Sequence, residues 1–105
     1  MTFQDREEAF ESKYKHDEEI RFRTHARRNK LFGLWVAEQL GLSGEEAQHY
    51  ARTVIQADMK VPGDSDIFEK IQTDLKNAGV EISEHRLHKR LEECMSEAKQ
   101  QIMSE

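Results

Sequence analysis

The chain has 105 residues, 36% hydrophobic and 35% charged, with 16 lysines and arginines against 21 aspartates and glutamates and a formal net charge of -5. That length fits one domain burying roughly two thirds of the surface its unfolded chain exposes. The acidic balance argues against nucleic acid as a partner, because cations neutralising phosphates supply most non-specific affinity. The start, MTFQDREEAF, is acidic where a secretory signal is basic and then apolar, and no run approaches the roughly 20 apolar residues of a membrane span. With a single cysteine, Cys94, there is no internal disulfide to form, so a cytoplasmic protein without direct membrane insertion is expected. Few glycines and one proline point to helices joined by short connections.

Residues 1 to 19 hold seven acids (Asp5, Glu7, Glu8, Glu11, Asp17, Glu18, Glu19) against three bases (Arg6, Lys13, Lys15). Their large apolar groups are Phe3, Phe10 and Tyr14, which align on one helical face because steps of seven and four residues return to the same side. Three rings do not offset an ordering entropy of about 1–2 kcal/mol per residue. A flexible segment over residues 1–19, loose when free and helical when bound, is therefore expected, ahead of a four-helix domain over residues 20–105. The competing reading runs the first helix through this segment and lays the rings on the bundle as core.

From Ile20 to Lys30 the charge reverses, with Arg21, Arg23, Arg27, Arg28 and Lys30 facing no acid. Asp17 with Arg21 and Glu19 with Arg23 are spaced i to i+4, acid first, each pair contributing about 0.2–0.5 kcal/mol to a helix. Residues 27 to 44, RRNKLFGLWVAEQLGLSG, then place Leu31, Leu34 and Trp35 on one side of a helix and Gly33, Val36, Ala37 and Leu40 on the other. A helix apolar nearly all round is buried among neighbours, so this stretch is the expected central rod. Gly33 costs about 1 kcal/mol in a helix interior; close approach of another helix there would offset it, and a kink is the alternative.

Gly41 suits a helix C-terminus, and Ser43 with Glu46 reads as a capping box opening a second helix that turns Ala47, Tyr50, Ala51, Val54 and Ile55 inward. Val61, Pro62, Gly63 and Asp64 form a turn signal. A third helix carries Ile67, Phe68, Ile71 and Leu75 and ends at Asn77, Ala78 and Gly79. Ser83 caps a fourth, whose inward stripe is Leu87, Leu91, Cys94, Met95, Ala98 and Ile102, with Ile82 and Leu87 placed as a hydrophobic staple and fraying expected beyond Met103. The fold class is all-α, a four-helix bundle with a long first helix.

Residues that carry chemistry elsewhere have structural readings here. His85 and His88 share metal-compatible spacing with Glu92 one turn on, but a third ligand would have to come from another element, so no metal is expected. His16 and His25 read as surface groups, and Cys94 on an apolar stripe reads as core, where a thiol is inert. Gly41 to Gly44 lacks the Gly-Lys-Ser/Thr ending of a phosphate loop. Nothing supports an enzyme.

The opening FQDREEAFESKYKHDEE, the middle RRNKLFGLWVAEQLGLSG and the later KVPGDSDIFEKIQTDL together resemble the zeta subunit family, small inhibitors of the F1-ATPase in alpha-proteobacteria. The resemblance implies partners, the alpha, beta and gamma subunits of F1-ATPase, and a location at the inner membrane through the ATP synthase. It implies that the N-terminal segment is the inhibitory part, entering an alpha/beta catalytic interface near gamma, with Phe3, Phe10 and Tyr14 as anchors and Arg6 and Glu7 setting register. The free protein is expected to be monomeric and to require no cofactor. A second reading is a nucleotide-binding bundle without strong inhibition, taking ADP or ATP at Arg27, Arg28, Lys30 and Trp35.

Overall fold

In a computed structural model the backbone is described for residues 3–58 and 65–105, and the side chains for residues 17–57 and 65–105. The expected turn at Val61 to Asp64 lies outside the described residues. Four helices follow one another: α1 (Phe3–Gln39), α2 (Gly44–Asp58), α3 (Ser65–Asn77) and α4 (Glu84–Met103), with no strand among the described residues. The first helix packs against α2 and α4, and α2 against α3.

The rod expected around Trp35 is the centre of this arrangement. Phe32, Gly33, Val36 and Ala37 are buried, while Leu31, Leu34, Trp35 and Leu40 are half-buried. Around Phe32 and Val36 gather Val54 of α2, Ile67, Phe68, Ile71 and Leu75 of α3, and Leu87, Leu91 and Cys94 of α4. Phe68 meets Phe32 edge to face at 6.2 Å, the geometry that the ring quadrupoles favour. The expected stripe of α4 is buried at Leu87, Leu91, Cys94, Ala98 and Ile102 and half-buried at Met95.

Gly33 meets α2 at its crossing with α1. A β-carbon built on it would stand 2.8 Å from the backbone Cα of Ala51 and 3.3 Å from Cβ of Val54. No real side chain tolerates the first distance, so the two backbones approach more closely than any residue but glycine permits.

Two helix ends close alike. Gly41, at φ +82°, donates to Glu38 O at 3.1 Å while Leu42 donates to Ala37 O at 2.9 Å. Gly79, at φ +73°, donates to Lys76 O at 3.1 Å while Val80 donates to Leu75 O at 2.9 Å. Both are the paired bonds of a Schellman motif, which satisfies orphan carbonyls and needs a left-handed residue. Ser83 caps α4, its backbone extended and its hydroxyl accepting from Arg86 N at 3.1 Å. Ile82 packs against the core beside buried Leu87, as a staple does.

One local expectation needs correction. Ser43 and Glu46 form no capping box: Gly44 takes a left-handed φ of +58°, and no hydrogen bond joins the two side chains to the helix start among the described residues. The fourth helix ends at Met103; beyond it Ser104 Oγ donates to Gln100 O at 2.8 Å and Glu105 reaches across to α1.

The crossing yields a test. Gly33→Ala raises intrinsic helix propensity by about 1 kcal/mol, yet overpacking of a close crossing costs about 1–3 kcal/mol. A fall in Tm of several degrees is expected, at about 4–8 °C per kcal/mol; a rise would show that α2 gives way freely.

Candidate functional site

Exposure changes sharply along α1. Asp17, Glu18, Glu19, Arg21, Phe22 and Arg23 are exposed, and only Ile20 among residues 17–23 is half-buried. Phe22, at 67% exposure, is one of two large hydrophobics turned to solvent among the described residues. From residue 17 onward the first buried side chain is Thr24, whose hydroxyl donates back to Ile20 O at 2.6 Å. A polar layer follows, with Thr24, Arg28 and Asn29 at 7%, 5% and 1% exposure, before the apolar core starts at Phe32. Buried polar groups need partners: the Arg28 guanidinium donates through Nε and Nη2 to Asn29 Oδ1 at 3.0 and 2.8 Å, and Nη2 lies 3.0 Å from Nε2 of His25.

Where α1 passes into this layer, the end of α4 and the residues just after it grip it. Glu105 pairs through Oε2 with Arg23 Nη2 at 2.5 Å and through Oε1 with Arg27 Nη2 at 2.6 Å. Arg27 Nη1 also donates to Gln101 Oε1 at 2.8 Å. The hydrogen bond from Arg27 holds the Glu105 carboxyl below its ordinary pKa.

The residues read as a docking or nucleotide set therefore point in different directions. Arg27 faces the end of α4, Arg28 enters the polar layer, and Lys30 is exposed. Trp35 stacks at 6.2 Å on Phe32, nearly parallel, with the Arg86 guanidinium of α4 5.5 Å from its ring. The side chains of Phe3, Arg6, Glu7, Phe10 and Tyr14 lie outside the described residues. Gln101, Glu105 and Arg86 were not singled out from the sequence, because pairing between helices leaves no local spacing to read. Phe22 had a signal, an aromatic between two arginines, but it is out of phase with the row of Phe3, Phe10 and Tyr14.

A groove of about 890 Å³ runs along α2 and α3 over Leu42, Glu46, His49, Arg52 and Thr53. At its floor Tyr50 and Lys70 both donate to Asp74 Oδ2, at 2.8 and 2.9 Å, a tie between the two helices. Burial and the neighbouring carboxylate push the Tyr50 hydroxyl above its usual pKa. His88 lies against Phe68, ring to ring at 4.0 Å, and 3.9 Å from Glu84. Among the described residues no group of three or more His, Cys, Asp or Glu is placed to hold a metal, and no helix is long and apolar enough to cross a membrane.

A family model described as ATPase inhibitor subunit zeta matches residues 1–101. A solution NMR structure is similar at 42% identity, covering 81% of this chain and 96% of its own, with a TM-score of 0.73. No curated protein matches.

Cys94, with no exposed surface, has its thiol pushed by burial to about 11 from an ordinary 9.0. The folded value lies above the unfolded one, so the stability contributed by the protonated thiol is complete below about pH 9 and lost as pH rises through about 11. Chemical denaturation across that range should show a steeper alkaline fall for the native chain than for Cys94→Ala. Alkylation of the native thiol at pH 8 should proceed only as fast as the protein opens.

Proposed function

The chain belongs to the ATPase inhibitor subunit zeta family, and on that premise we propose that it blocks ATP hydrolysis by inserting the front of α1 at an alpha/beta catalytic interface of F1-ATPase near gamma. The observation that carries this reading is the register of one continuous helix from Phe3 to Gln39. Phe10 and Arg28 are 18 residues apart, as are Tyr14 and Phe32, and 18 residues make five turns. By helical register those two sequence positions fall in line with Arg28 and Phe32, both buried, while Glu105 after α4 stands at the level of Arg23 and Arg27. Aromatic positions in such a register suit a groove on another protein.

Inhibition then needs no chemistry. A helix held in an interface that must close adds a barrier equal to its differential binding between open and closed states. Phe3, Phe10 and Tyr14 supply apolar anchors, and Arg6 and Glu7 set register and exclude wrong partners. The bundle of residues 20–105 docks outside the interface and keeps the segment at high local concentration.

ATP hydrolysis by F1-ATPase of the same organism, titrated with the full chain and with a chain lacking residues 1–14, tests the proposal. Inhibition by the full chain alone is expected, with the Tm of the two within about 4 °C, the shift from a loss below 1 kcal/mol. Equal inhibition by both would move the effector to the bundle, and a collapsed fold would show the rings to be core.

A further inference from the structure

We infer that the end of α4 and the residues just after it form a clamp that sets the direction and helicity of the inhibitory front of α1, with Glu105 and Gln101 as positioning residues acting through Arg23 and Arg27. This rests on the inhibitory role proposed above for the front of α1.

Arg23 and Arg27 stand i to i+4 on one helix, where like charges repel and destabilise it. They belong to a run of five cations, Arg21 to Lys30, that itself contains no acid: Glu19 stands one turn ahead of Arg23, and no acid stands within a turn of Arg27. Glu105 lies between the two guanidinium groups, one oxygen on each at 2.5 and 2.6 Å, and Gln101 one turn back accepts from Arg27 at 2.8 Å. One carboxylate satisfies both arginines only while residues 23–27 are helical, so the clamp turns a repulsion into a condition for helix.

Its place in the fold gives it leverage. Among residues 17–23 little else touches the bundle, since all but half-buried Ile20 are exposed. A helix propagates easily from a formed turn and nucleates poorly on its own, so order ahead of Arg23 grows from the turn that the clamp fixes. Residues 3 to 22 span about 30 Å at 1.5 Å per residue, and a tilt of about 10° at the clamp moves their far end by about 5 Å. A segment that must enter a narrow interface is sensitive to both effects, because misdirection lowers its effective concentration there.

Glu105→Gln removes the charge and leaves every core residue in place. Amide hydrogen exchange over residues 17–27 should quicken by about 2- to 5-fold, the range an exposed ion pair supports, with α2 and α3 unchanged. The concentration for half-inhibition of F1-ATPase should rise several-fold with the same maximal inhibition. The charge-exchanged variant Arg23→Glu/Arg27→Glu/Glu105→Arg should recover slow exchange and part of the potency.

Unchanged exchange in Glu105→Gln overturns the clamp. So does faster exchange with unchanged or improved inhibition, which would mean that Arg23 and Arg27 serve the partner directly and Glu105 competes for them. A native chain that fails to inhibit, with exchange still responding to Glu105, removes the inhibitory reading and leaves the clamp on α1 standing.

Discussion

The close crossing of α1 over α2 at Gly33 is the constraint on which the rest of the bundle depends. With an imagined β-carbon only 2.8 Å from the Ala51 backbone, the helices touch main chain to main chain. That proximity lets Val36 and Val54 reach the same core as Phe32 and allows α3, which packs mainly on α2, to bring Phe68 edge-on to Phe32. A larger residue would separate α1 from α2 and withdraw α3 with it. The helix-propensity penalty of glycine is local, whereas the packing it permits extends through three helices.

The same helix has two characters along its length. From Phe32 onward it is a core rod; through Thr24, Arg28 and Asn29 it carries a buried polar layer; over residues 17–23 it is exposed but for half-buried Ile20. An apolar core accepts many arrangements of similar volume, but a buried guanidinium has to find its hydrogen bonds in one register. The polar layer thus fixes how α1 sits before the helix leaves the bundle, and the grip of Glu105 on Arg23 and Arg27 lies at the point of departure.

Among the described residues the ten buried members of the core cluster all lie at or beyond Phe32, and residues 17–23 of α1 are exposed but for half-buried Ile20.

The sequence by itself determined the helices, most of their ends and nearly all of the core, because those follow from near-neighbour physics. Periodicity of 3.6 residues placed Leu87, Leu91, Cys94, Ala98 and Ile102 on one stripe, and left-handed glycine closed α1 at Gly41 and α3 at Gly79. Even the close approach at Gly33 was legible, since a glycine inside a strongly apolar helix calls for an offset. The motifs FQDREEAFESKYKHDEE and RRNKLFGLWVAEQLGLSG pointed to the family without any structure. Tertiary structure alone decided which arginine does what: the run from Arg21 to Lys30 is uniform as sequence, yet Arg27 meets Glu105, Arg28 is buried and Lys30 is exposed. It also decided that Trp35 pairs with Arg86 and that Glu105 meets Arg23 and Arg27. Those pairings join residues about 50 to 80 positions apart, brought together by packing, and no local spacing encodes them.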